Sequence, residues 1–450
     1  MEFYHIFNAR IVNENRIEEG EVFVSDGLIS KINYGKTSAT PANYVAVDAN
    51  GRFLLPGVID DQVHFRQPGM TDKASIYTES RAAVAGGVTS FMDMPNTKPP
   101  TLTQDLLEEK YKIAAKDSIA NYSFYMGVSN DNIEEVLKTP LNSVCGIKIF
   151  LGASTGNLLV DNKKTIEKLF SETPHIVAAH CEDEETIKRN AELFKSLPQS
   201  EINASVHPII RSAEACFISS SYAVNLARKK KTRLHVFHVS TAKELELFDA
   251  GIPLEKKKIT SEVCVHHLWF TADFYNSHNN LIKWNPAIKS ADDRKALREG
   301  LKSGLIDVVA TDHAPHLFAE KMNPYFDAPS GGPMVQHSLQ AMLALAQSVS
   351  WTIADVVNYM CHKPAILFNI LKRGFIREGY FADLVLVDTS KNYKVTKSNI
   401  LYKCNWSPME GETFPAVIDK TFVNGQLVWN KGKIIDKKAG KRLEFERNNI

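Results

Sequence analysis

Four side chains of metal-ligating type stand at or just beyond the ends of apolar runs in this chain. His64 follows Leu54 to Ile59, His180 ends HIVAAH, His238 ends LHVFH and Asp312 ends VVATD. Imidazole nitrogens and carboxylate oxygens suit zinc or another first-row dication, and a catalytic site keeps one coordination position open for water. Each residue leaves a buried strand at the point where its side chain can turn toward the mouth of the fold, so the four share a location. Lys148 lies inside the apolar run GIKIF, where an ammonium is costly unless it is paired or chemically altered. Arg66, two residues beyond His64, and Asn96, in MPNT, belong to two neighbouring strand ends. A planar guanidinium fork beside a directional amide suits a substrate carboxylate.

The elements that must position these groups alternate in kind. VTSFMDMP, YSFYMGV, GIKIF, HIVAAH, LHVFHV, KITSEVCV and IDVVATDH read as buried strands, separated by helical patterns such as TQDLLEEKYKIAAKD and AEACFISSSYAVNLARKK. This is the βα rhythm of a parallel sheet, and with the strand before His64 the count reaches the eight of a TIM-like (β/α)8 barrel, whose carboxyl-end rim carries catalysis. An open doubly wound sheet has the same periodicity, but no Gly-x-Gly-x-x-Gly or phosphate loop supports a nucleotide fold. His235 lies an odd number of residues before His238, so strand alternation predicts that it faces away and packs against a helix. Both termini differ from this centre: residues 1–52 and 366–450 read as short strands, with Asp26-Gly27, Asn50-Gly51 and Asn424-Gly425 as hairpin turns. They predict one small β-sandwich domain assembled from both ends around a barrel over 53–365.

Lys and Arg total 53 against 52 Asp and Glu, for a net charge of +1, which excludes a charge-driven nucleic-acid or anionic-membrane partner and leaves a small-molecule substrate. Six dispersed cysteines without a CxxC pair fit free thiols in the cytoplasm. The first residues lack the pattern of a secretory signal, and no run reaches the roughly 18 apolar residues of a membrane helix.

GVIDDQVHFRQPG, MPNT, the GIKIF lysine, TDHAPH and GFIREGYFADLVLVD together resemble the cyclic amidohydrolases, the dihydroorotase family most closely, over nearly the whole chain. The resemblance implies that His64, Lys148 and Asp312 hold one zinc ion and that Lys148, His180 and His238 hold a second, with Lys148 carboxylated as the bridge. It implies Asp312 as the proton-transfer group, and Arg66, Asn96, Asn285, His316, Gly331 and Gly332 as substrate contacts, the glycines through their backbone. His313 is expected to orient Asp312, and His266 and His267 to be structural. The assembly implied is a homodimer, and the resemblance leaves association with other enzymes of pyrimidine synthesis open. One residue departs from the motif: Gln62 stands where His-x-His has its first histidine, so the first ion should be looser, absent, or supported by Asp60 or Asp61. Hydantoinases, dihydropyrimidinases and allantoinases share the scaffold, and a non-catalytic relative is the alternative that Gln62 favours.

Overall fold

The computed structural model describes residues 2–35, 37–152 and 158–447. The chain opens with β1 (Tyr4–Asn13), β2 (Arg16–Ser25), β3 (Leu28–Tyr34), β4 (Val45–Asp48) and β5 (Phe53–Pro56). The parallel strands follow as β6 (Val58–Val63), β7 (Val88–Asp93), β8 (Asn121–Phe124), β9 (Met126–Gly127), β10 (Ile147–Phe150), β11 (Val177–His180), β12 (Leu234–Val236), β13 (Ile259–Cys264) and β14 (Val308–Ala310). Last come β15 (Leu384–Asp388), a small β16 (Tyr393–Lys394) and β17 (Thr413–Phe414) ribbon, and β18 (Val417–Val423), β19 (Gln426–Asn430) and β20 (Lys433–Ile434).

The fold is mixed α/β. Strands β6 to β8 form one parallel sheet and β9 to β14 another, with Val63 and His313 paired as a parallel bridge between the first strand and the segment after the last. Ile59, Met92, Tyr125, Ala178, Phe237 and Val308 come from both sheets and pack into one buried cluster, closed at one end by Leu367, Phe368, Leu443 and Phe445. A larger apolar layer lies between the strands and the surrounding helices. These strands are buried on both faces, which is why their sequences read as continuous apolar runs.

The terminal strands share a nine-stranded sheet in which β5 from the N-terminal segment pairs antiparallel with β15 from the C-terminal one. Asp26-Gly27 and Asn424-Gly425 turn hairpins, each with positive φ at both residues, as a right-twisted two-residue hairpin requires. Asn50-Gly51 also has positive φ at both residues but does not join a hairpin. β4 and β5 both run parallel to β1, one after the other along the same edge, so the turn redirects the chain past a bulge at Asn8. The six cysteines are buried free thiols, and among the described residues no helix is long and apolar enough to cross a membrane.

Candidate active site

The ends of the parallel strands surround a cavity of about 90 Å³ lined by Gln62, His64, Arg66, Asn96, Lys148, His180, His238, Asn285, Asp312, His316 and Gly331, with Phe150 and Trp284 among the apolar walls. Three of these groups are aimed by backbone in the left-handed region: Arg66 (φ 65°), His238 (φ 39°) and Asp312 (φ 44°). L-residues seldom adopt that conformation outside turns and sites where surrounding structure enforces it. Here it rotates each side chain out of strand alternation and into the cavity.

Two pairs face each other. His64 Nε2 lies 3.1 Å from Asp312 Oδ1, while His64 Nδ1 is 2.8 Å from Asn96 Oδ1, an acceptor that places the ring proton on Nδ1. His180 Nδ1 lies 3.0 Å from His238 Nε2, and the other nitrogen of His180 is 3.0 Å from Glu182 Oε2. Glu182 is gripped in turn by Arg211, with Nη2 donating to Oε2 at 2.7 Å. Burial pushes the Glu182 carboxyl up, but Arg211 and His180 outweigh it and hold it well below its usual range. Burial drives His180 down, and burial with neighbouring His180 and Lys148 drives His238 far down. Both imidazoles are therefore neutral, the form that ligates a metal.

Several observations show that this donor set fits metal ions. His238 Nδ1 is buried with no hydrogen-bond partner among the described residues. Lys148, 1% exposed, holds its Nζ over the rings of Phe237 and Phe150, and no carboxylate lies within ion-pair distance among the described residues. Burial pushes its amine down to about 7.

On the opposite wall, Arg66 donates from Nε to the Pro315 carbonyl at 3.0 Å, with Nη2 3.0 Å from His316 Nε2. Its Nη1 has no protein acceptor among the described residues. Burial, then the charge of Arg66, pushes His316 down to about 3, so its ring is neutral. Asn285 Oδ1 is a buried acceptor with no donor among the described residues.

Other expected roles change. Gly331 lines the cavity, but its N–H donates to the Lys283 carbonyl and its own carbonyl accepts from Lys321. Its φ of 122° and a built Cβ only 2.5 Å from the Ala314 oxygen explain the glycine. Gly332 stands outside the cavity lining, where any Cβ would strike the ring of Trp284. His313 does not orient the Asp312 carboxylate. Its ring is 2.9 Å from Glu79 Oε2 and accepts from the Met334 N–H, while its carbonyl accepts from the His64 N–H. His266 stacks on Trp284 and His267 Nε2 is 3.2 Å from the Pro286 carbonyl, both as wall supports.

Neither aspartate next to Gln62 reaches toward His64. Asp60, pushed up to about 7 by burial, accepts from the Thr311 hydroxyl and N–H and so fixes the turn that presents Asp312. Asp61 points between the strands to His235, which corrects the expectation that His235 faces a helix. His238 lies beyond β12 on a left-handed residue, so counting back from it gives the wrong face for His235. Burial would lower His235, but Asp61 and Glu262 carry it up to about 9. Sequence reasoning also missed Glu182 and Arg211, although an acidic residue two beyond a candidate ligand was a usable signal.

Residues 53–428 match the amidohydrolase family. A dihydroorotase of Methanosarcina acetivorans is 34% identical over 444 residues, covering 96% of this chain and 92% of that protein. Another, of Halobacterium salinarum, is 35% identical over 390 residues, covering 85% and 88%. Among solved structures, the L-hydantoinase (dihydropyrimidinase) of Arthrobacter aurescens superposes with a TM-score of 0.90 at 26% identity, covering 99% of this chain and all of that one. With its matched residues, its strand-end cavity and relatives of this identity and coverage, the chain belongs to the amidohydrolase family, on its dihydroorotase branch.

Proposed function

We propose that this chain interconverts L-dihydroorotate and N-carbamoyl-L-aspartate, the dihydroorotase step of de novo pyrimidine synthesis. The observation that carries the reading is the presence of both Arg66 and Asn285 in the lining of the cavity that holds the histidine and aspartate pairs. A buried cation there suits a carboxylate, and an orphaned buried amide oxygen suits a ring N–H. A hydantoin or dihydrouracil has the N–H but no ring carboxylate for Arg66. The scaffold we assign is a TIM-like (β/α)8 barrel over 53–365, with the two parallel sheets as one closed wall and a β domain from 1–52 and 366–450.

Zinc is the metal we assign to the site. His64, Asp312 and the amide of Gln62 would hold one ion and His180 and His238 a second, with a carboxylated Lys148 serving both. Ions so held would make water nucleophilic near neutrality and polarise an amide carbonyl. Lys148 is suited to carboxylation because burial leaves much of its amine uncharged at neutral pH, the form that adds carbon dioxide.

Arg66 binds the substrate carboxylate with a fork that Pro315 and His316 have already fixed, so little side-chain freedom is lost on binding. Asn96 contributes from the same wall while its Oδ1 sets the His64 tautomer. Asn285 Oδ1 accepts the ring N–H. Asp312 takes the proton of the attacking water and returns it to the leaving ring nitrogen, and in reverse the same groups close the ring. Acid favours closure because the open form carries one more carboxylate.

The chain is assigned a small-molecule substrate, a homodimeric assembly open to association with neighbouring pathway enzymes, and a cytoplasmic setting consistent with its free thiols. Purified protein assayed in both directions before and after metal stripping and zinc restoration tests the function. Metal-dependent turnover of L-dihydroorotate is expected. Full metal loading with turnover only of hydantoins, dihydrouracil or allantoin would reassign the substrate.

A further inference from the structure

A second convergence of ligand-type groups lies between the strands, outside the cavity lining. Asp61 from β6, His235 from β12 and Glu262 from β13 are each fully buried, and one ligand atom from each lies within 4.8 Å of the other two. His235 Nε2 is 3.3 Å from Asp61 Oδ2 and 3.4 Å from Glu262 Oε2. Its other nitrogen, Nδ1, is 2.9 Å from Thr260 Oγ1, whose own hydrogen is donated to the Leu234 carbonyl at 3.3 Å. The threonine oxygen therefore accepts, Nδ1 carries the ring proton, and Nε2 turns toward two carboxylates. Neither Asp61 oxygen receives a hydrogen bond of ordinary geometry among the described residues.

Three such groups facing one another away from water require positive charge among them. Without an ion, a proton on His235 and a second on Glu262, whose carboxyl burial and Asp61 raise well above its usual range, supply the balance, and a dication would take the place of both.

We propose that Asp61, His235 and Glu262 bind a divalent first-row metal ion of the zinc class, at a site separate from the cavity ligands. One imidazole nitrogen and two carboxylates form a mixed donor set that such an ion accepts. Thr260 supplies the outer contact that orients a ligating histidine. The three ligands come from three strands of the two parallel sheets, so they are held by strands and not by a loop.

The site also reaches the cavity. Glu262 Oε1 accepts from the His238 N–H at 3.2 Å and lies 3.8 Å from Cys264 Sγ, which donates to Gln62 Oε1 at 3.4 Å. An ion on Glu262 thereby fixes the backbone at His238 and the amide at Gln62. It is a positioning site and touches no substrate.

The test uses the full chain expressed in zinc-supplemented medium and purified without chelator, with zinc counted by mass spectrometry and crystals measured on both sides of the zinc absorption edge. An anomalous peak bounded by His235 Nε2 and the Asp61 and Glu262 carboxylates is expected, together with the loss of one zinc per chain in Asp61→Asn and in Glu262→Gln. Ordered diffraction with no peak there, the ring instead bridging both carboxylates, overturns the proposal, as does an unchanged zinc count in folded variants. If neither variant folds, diffraction from the unaltered chain decides alone.

Discussion

Gln62 shows how one side chain can depart from a motif while its surroundings adjust. Its amide oxygen accepts from the Cys264 thiol at 3.4 Å, so the position normally given to an imidazole is filled by a neutral, weakly ligating group with a partner of its own. Gln62→His should tighten the ion we assign to His64 and Asp312 by at least about 10-fold, since even outer contacts of a metal site are worth about 10–100-fold. Zinc release to a chromogenic chelator would measure it, and a variant that releases zinc as fast as the parent would show that Gln62 does not limit that ion. The departure itself was legible because the neighbouring residues of the motif are intact. Its accommodation was not, because Cys264 lies two hundred residues away in sequence and becomes a neighbour only when β13 packs near β6. The face of His235 was misread for a local reason: alternation holds inside a strand and fails at the left-handed residue that ends one.

At the scale of elements, the site depends on strands that stop at fixed points and on loops that return over their ends. The apolar runs predicted from sequence correspond to β7 to β14, since a strand buried on both faces has a strong compositional signature. What periodicity does not carry is the pair of segments that return over the strand ends, 283–288 before the last helix-strand unit and 313–332 after β14, where the contacts are backbone to side chain. There Lys283 donates to the Tyr325 and Ala328 carbonyls, and Lys321 to those of Pro329 and Gly331. Gly331 is the tightest point of the second segment. A methyl group would meet the Ala314 oxygen at 2.5 Å, on a backbone with φ near 122° that only glycine adopts readily. Gly331→Ala should therefore displace the segment bearing Ser330, whose carbonyl lies 3.0 Å from His316 Nε2. The expected result is a drop in kcat/KM of about 10-fold or more, as small misplacements near bound substrate produce, with zinc content unchanged. Loss of metal together with activity would instead mean that the loop supports the ligands and not the substrate.

At the scale of the whole molecule, the paired β5 and β15 explain why the two termini look alike in sequence: each supplies part of one sheet that neither completes alone. Docking of that sheet onto the parallel strands is concentrated at Asp383, just before β15. One of its oxygens accepts from the Asn424 N–H at 2.7 Å, and the other accepts from Asn121 Nδ2 at 3.1 Å and from the Arg373 guanidinium. Asn424 also donates to Asn121 Oδ1 at 2.6 Å, and the Asp383 carbonyl accepts from the Gly57 N–H at 2.8 Å. These contacts lie at the beginnings of β6 and β8, whereas the cavity lies at the strand ends. Asp383→Ala leaves a buried arginine and two amides short of partners, and breaking a buried ion pair from one side costs about 3–5 kcal/mol. The urea midpoint should fall accordingly while KM at 25 °C stays unchanged, because the lesion is at the opposite end of the strands from the substrate. Adding Arg373→Met should recover part of the loss by removing the stranded charge. A variant with an unchanged midpoint and an altered KM would mean that the terminal sheet shapes the cavity directly instead of holding the strands from beneath.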